Sequence, residues 1–197
     1  MRSLRQLSVA LLLLLVASSM PAVAGTVNLQ FNNNGPYSYG PPTYPYYFTV
    51  NGTTSAWLMC ISYTEHITYG ESWQADEMTV AAYGALIGNP VKAEELAYLY
   101  TLARADNGAN SAINAEAWYL NEGQPSPEAA ISLLASFAPG SYSNVRVYVP
   151  TSNQTGWTDG VPQTFLGYSP VPEPSTLLML GSGVLGLAAV VRRKIKL

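Results

Sequence analysis

The chain has 197 residues, enough for one domain with a real core; 48% of them are hydrophobic and only 11% are charged. Its formal charge of −3 hides a division, because Arg2, Arg5, Arg192, Arg193, Lys194 and Lys196 stand at the two ends. The middle keeps Lys92, Arg104 and Arg146 against eleven acids, a net of −8, which excludes the clustered cations that nucleic-acid or anionic-lipid binding requires.

In chain order, Arg2 and Arg5 precede an apolar run from Leu7 to Val16, and Ala22-Val23-Ala24 supplies small residues where a signal peptidase reads. Residues 1–24 are therefore expected to form a removable signal helix, too short for a stable span, with cleavage before Gly25. The passenger that follows, residues 25–170, is rich in Tyr, Asn, Ser, Thr and Gly. Asn32 to Pro42 reads as loop. Tyr44 to Val50 and Ala56 to Tyr63 read as strands joined through Asn51-Gly52, a hairpin turn signal. Ile67 to Tyr69 suggests another short strand. From Glu94 to Ala103 the spacing of Leu96, Leu99, Tyr100 and Ala103 predicts a helix, and Ile113, Ala117 and Leu120 predict a second over Ile113 to Leu120. A third is predicted with Ser126 as N-cap and Pro127 at its first position. Val145, Val147 and Val149 alternate with Arg146 and Tyr148, the pattern of a half-buried strand, and Gln163 to Leu166 reads as a last strand. The fold class is therefore α+β: a β-rich framework with a helical insert over about 91–137.

Beyond the passenger, Leu177 to Val191 carries no charge and is stopped by Arg192, Arg193, Lys194 and Lys196. About 17 apolar residues is the lower limit for crossing a bilayer, and residues 175–191 reach it. The cations should stay cytoplasmic, leaving the passenger outside. Just before this span stands Val171-Pro172-Glu173-Pro174-Ser175, whose two prolines hold Glu173 in extended backbone that a protease can grip. Motif, span and basic end together make residues 171–197 resemble the PEP-CTERM sorting domain of Gram-negative, exopolysaccharide-producing bacteria. That resemblance implies an exosortase as processing enzyme beside signal peptidase, a transient anchor in the inner membrane, and a final place at the cell surface or in the extracellular matrix. Exopolysaccharide or other envelope components would then be the partners.

Three passenger segments carry a second resemblance. Leu58-Met59-Cys60-Ile61, Asn114-Ala115-Glu116-Ala117-Trp118 and Pro162-Gln163-Thr164-Phe165-Leu166 are similar in order and spacing to the thioester domains of bacterial surface adhesins. The family joins an early-strand cysteine to a late glutamine, so the resemblance implies a bond between Cys60 and Gln163 that opens on a target's amine or hydroxyl. Several residues depart from the pattern. Met59 replaces an aromatic, Asn114 replaces the glutamine of the middle motif, Glu116 replaces its alanine, and Pro162 restricts the backbone before Gln163.

Other chemistry has thinner support. Cys60 is the sole cysteine, so no internal disulfide forms, and within an apolar strand its ordinary role is that of a small buried hydrophobe. His66 is the sole histidine, and could activate Cys60 only if the chain turns at Tyr63 to Glu65. Without further histidines or cysteines no zinc site is expected, and no cofactor is implied. Glu65, Glu71, Asp76 and Glu77, set among Tyr69, Trp73 and Tyr83, would suit a glycosidase only if two of them faced one cleft at a defined separation. The expected protein is thus an exported, non-enzymatic structural or binding protein. A covalent adhesin using Cys60 and Gln163 is the first alternative, and a secreted polysaccharide-active enzyme the second.

Overall fold

The structure, a computed structural model, describes residues 23–34, 43–123, 130–140, 142–151, 161–168 and 183. Most of the expected signal helix, the expected N-cap at Ser126, the sorting motif, the span over 175–191 apart from Gly183, and the basic end lie outside the described residues. No helix among the described residues is long and apolar enough to cross a membrane.

Six strands, β1 (Val23–Asn34), β2 (Tyr46–Val50), β3 (Thr54–Cys60), β4 (Ser72–Thr79), β5 (Val145–Pro150) and β6 (Phe165–Tyr168), close into an antiparallel barrel in the order β1-β2-β3-β6-β5-β4. Period-two alternation decides which side chains go in. Leu29 and Phe31 of β1, Phe48 of β2, Leu58 and Cys60 of β3, Trp73 and Ala75 of β4, Tyr148 of β5 and Phe165 of β6 fill the interior. Phe165 is its hub: its ring centroid lies 4.8 Å from Phe48, 5.4 Å from Tyr46 and 6.2 Å from Trp73. The β2–β3 hairpin turns at Asn51 (φ 52°) and Gly52 (φ 72°), two left-handed residues as the Asn-Gly pair predicts.

Between β4 and β5 the chain builds α1 (Val80–Leu86), α2 (Pro90–Ala105), α3 (Ser111–Glu122) and a 3₁₀ helix (Ala130–Ser136). Thr79, Asn89 and Asn110 cap the three α-helices by accepting the N–H of Ala82, Lys92 and Ala112. Gly123 ends α3 in left-handed backbone at φ 74°. Leu96, Leu99, Tyr100, Ile113 and Ala117 pack on the outward side chains of β3, β5 and β6, namely Met59, Val145, Val147 and Leu166. These three strands are covered on both faces.

Several expectations change accordingly. The helical part starts at Val80 rather than near 91, and its last piece is a 3₁₀ helix. β5 is not half-buried: Val145 to Tyr148 are all buried, because helices cover one face and the barrel takes Tyr148 on the other. Ile67 to Tyr69 form no strand, and the last strand runs Phe165–Tyr168 rather than Gln163 to Leu166. β1 and β4, the pair with the longest register, were not expected. β1 begins two residues upstream of the expected cleavage point, so the mature strand would start at Gly25.

Gly167 faces into the barrel, where an added Cβ would lie 2.5 Å from Leu58 Cδ2 and 2.7 Å from Tyr148 Cε2. Gly167→Ala should therefore destabilise the domain by about 1–3 kcal/mol, the usual range for overpacking a core. Denaturant unfolding of variant and wild type checks it.

Candidate functional site

The site forms where β3 runs out at Cys60 and the chain returns before β6. Register pairs Cys60 with Phe165 and Met59 with Leu166, and Ile61 N–H to Thr164 O (3.0 Å) continues the ladder one step further. Gln163 thereby comes beside Cys60 although about a hundred residues separate them in sequence. The thiol donates to Ser62 O at 3.0 Å, and Gln163 Nε2 donates to the same oxygen at 3.3 Å and to Glu65 O. Thiol and carboxamide are thus neighbours across one carbonyl. Ser62 Oγ accepts Thr164 N–H at 3.1 Å and fixes the loop to the strand.

Helix α3 clamps this loop with one face. Asn114 donates through Nδ2 to Cys60 O (2.9 Å) and accepts Tyr44 N–H at its Oδ1 (2.9 Å). Asn121 Nδ2 donates to Ile61 O at 2.9 Å. Glu122 Oε2 accepts from Tyr63 N–H, Thr64 N–H and Thr64 Oγ1 at 3.0 to 3.1 Å. Positions 114, 118 and 121 share a helical face, so Trp118 sits between the two asparagines and packs against Tyr63 at 5.4 Å. Its indole lies beside the Cys60 sulfur and favours the thiolate, although Nε1 completes no hydrogen bond of normal geometry.

Electrostatics keep the resting thiol protonated. Burial pushes the Cys60 thiol up to about 12, and the charges of Glu122 and Glu65 add to the rise. Gln163 is 7% exposed, and its Oε1 is buried with no hydrogen-bond partner. An orphaned acceptor beside a buried thiol is costly unless it has a use. A cleft of about 620 Å³ opens onto this point, lined by Gln163, Trp118, Ser62, Thr64, His66 and Tyr69 among others. Gln163 therefore faces the cleft, while Cys60 is fully buried behind it.

The residues singled out in the sequence meet different fates. Cys60, Gln163, Asn114 and Trp118, from three separate segments, converge. The chain does turn after Ser62, which carries His66 to the same cleft rather than along the strand. Glu65 lies near Ser62 and the Glu122 carboxylate at this site, whereas the other three acids stay apart. Glu71 accepts Thr68 N–H, Asp76 accepts Thr26 Oγ1 at 2.9 Å, and Glu77 pairs with Arg146 at 3.7 Å, each in its own place. Among the described residues no group of three His, Cys, Asp or Glu is placed to hold a metal ion. Asn121 and Glu122 are not singled out by the sequence; their place two turns beyond Asn114 and one turn beyond Trp118 on the same helix is the available signal.

The PEP-CTERM protein-sorting motif matches residues 170–194, so the chain carries the signal that marks exported proteins for membrane-associated sorting and exosortase processing in Gram-negative bacteria. No curated protein and no solved structure is significantly similar to the chain.

Glu116, where the resembling motif has alanine, is 4% exposed with Oε2 unpaired, and burial together with the nearby Glu95 raises its pKa. A carboxyl whose folded pKa exceeds the unfolded value stabilises the fold fully below the unfolded pKa, and that contribution is lost as pH rises through the folded one. Stability should therefore fall as pH rises from the acid side of the ordinary glutamate range towards neutrality. Glu116→Gln should flatten that part of the profile. Denaturant midpoints across pH, variant against wild type, check this.

Proposed function

We propose that this chain is an exported, non-enzymatic surface protein that stores a thioester between Cys60 and Gln163 and spends it once, to join itself covalently to a target. In forming the bond, Cys60 Sγ attacks Gln163 Cδ, the Cδ–Nε2 bond breaks, and the thiol proton leaves with the amide nitrogen as ammonia. An amine or hydroxyl entering the cleft then attacks Cδ, and the sulfur returns as a thiol. The observation that carries this reading is the shared Ser62 carbonyl, which sets thiol and carboxamide side by side at the base of an open cleft. Trp118 and the Asn114 clamp hold the cysteine end rigid, as a strained electrophile requires. Asn114 serves where the resembling family has glutamine: its Nδ2 and Oδ1 are both used, so the shorter amide fills the place.

Export supplies the setting. Signal peptidase would cut before Gly25, and the segment over 175–191 would hold the passenger at the inner membrane while an exosortase acts near Pro172-Glu173-Pro174. Arg192, Arg193 and Lys194 would stop the span on the cytoplasmic side. The released passenger, residues 25–170, then meets the envelope or matrix, where exopolysaccharide and other surface components are the available targets. For the polysaccharide-active alternative, Glu71, Asp76 and Glu77 are each engaged separately, and only Glu65 lies near a second carboxylate, that of Glu122.

Methylamine distinguishes a stored bond from a plain buried cluster. The mature wild-type protein should take up one methylamine at Gln163 and release one Cys60 thiol, whereas Cys60→Ala and Gln163→Ala should take up none. A wild-type protein that takes up none, and shows its thiol to an alkylating agent on unfolding, would return Cys60 to an inert core position.

A further inference from the structure

A second cleft lies on the other side of the same short β3–β6 ladder, and nothing in the covalent chemistry uses it. β3 and β6 pair only through Met59 with Leu166 and Cys60 with Phe165. Below that point Trp57 and Ala56 on β3, and Gly167 and Tyr168 on β6, are not paired with each other. The opening is a cleft of about 550 Å³, the size of ordinary small-molecule sites. Interior side chains Val27 and Tyr148 are reached through it, and Trp57, Tyr100, Tyr168 and Arg104 frame it.

Arg104 is the notable member. The passenger has three cations. Arg146 pairs with Glu77, and Lys92 Nζ donates to Asn121 O at 2.7 Å. Among the described residues, Arg104 makes no ion pair; its guanidinium carbon lies over the Tyr168 ring, 3.9 Å from the centroid. Arg104 stands in the last turn of α2, where a cation also favours the helix dipole. That role would be served equally by a side chain pointing to water, whereas this one reaches across to β6 and frames the opening. A guanidinium held over a ring can still donate its N–H groups to a planar acid. Trp57, 48% exposed and edge-to-face with Tyr47 at 5.6 Å, lines the same cleft with Thr54, Ser55 and Asn51. Glu77, paired through Oε1 with Arg146, lines the cleft as well and offers its second carboxylate oxygen as an acceptor.

We infer that this seam cleft binds a carboxylated sugar, its acid on Arg104, its ring on Trp57 and a hydroxyl donating to Glu77. An aromatic face, a planar cation and polar groups at the lip match the apolar face, the carboxylate and the hydroxyls of a uronic acid. The domain's net charge of −8 opposes a densely charged polyanion, so the fitting ligand is a glycan with isolated acids along its chain. This site stands apart from Cys60 and Gln163 and does not depend on the bond between them.

The test uses the folded mature protein and two probes, glucuronic acid and glucose, followed by the indole and tyrosine resonances in NMR titrations. Glucuronic acid should shift Trp57 and bind more tightly than glucose by on the order of tenfold, the size of one charge-assisted hydrogen bond. Arg104→Gln should remove that preference, Arg104→Lys should restore part of it, and Trp57→Ala should weaken both sugars. Arg104 and Trp57 are exposed enough that the barrel should survive these changes, which circular dichroism verifies. Equal binding of the two probes, a preference that survives Arg104→Gln, or tighter binding of an N-acetylated dipeptide carboxylate than of glucuronic acid would overturn the assignment.

Discussion

Two residue pairs, extended by the Ile61 N–H to Thr164 O bond, hold the architecture and the candidate site together: Met59 with Leu166 and Cys60 with Phe165. Without them the six strands form an open sheet with two exposed edges. With them the sheet closes, Phe165 enters the centre of the aromatic core, and Gln163 arrives beside Cys60. Closing so long a loop is entropically costly, so the short ladder needs help. It comes from Phe48, Tyr46 and Trp73 inside the barrel and from the helices packed on Met59 and Leu166 outside.

The brevity of the same ladder explains both clefts. Above it the chain leaves β3 into the Ser62 to His66 loop, and α3 must clamp that loop through Asn114, Asn121 and Glu122. Below it no further β3–β6 pair forms. One consequence of a minimal seam is therefore two openings of different character: one beside a thiol and a carboxamide, the other beside an arginine that makes no ion pair among the described residues. A mature domain joining a target at the first and holding a glycan at the second would use both ends of a single structural compromise.

Much of this was legible in the sequence where local signals are strong. Asn51-Gly52 announced the hairpin, and the apolar spacing around Leu96 to Ala103 and Ile113 to Leu120 announced α2 and α3. β1 was missed although Val27, Leu29 and Phe31 alternate cleanly, because the intervening Thr26, Asn28 and Gln30 resemble the polar loop that follows. In β4, acids at Asp76 and Glu77 disguised a strand: one bonds Thr26 at the solvent face and the other pairs with Arg146. The same pairing explains why Arg146, an apparent surface residue, is buried. Cys60 and Gln163 were proposed as partners from resemblance, and their proximity emerges only when the barrel closes. The seam cleft was not legible at all, since Trp57, Arg104, Tyr148 and Tyr168 come from four separate elements.

The central claim is that Cys60 and Gln163 are covalently joined in the mature protein, and its intact mass, taken from the exporting host without exposure to amines or alkylating agents, tests this most directly. A bonded protein weighs one ammonia less than its processed sequence, and the deficit maps to a peptide pair containing Cys60 and Gln163. A mass equal to the processed sequence, with Cys60 recovered as a free thiol, would contradict the account.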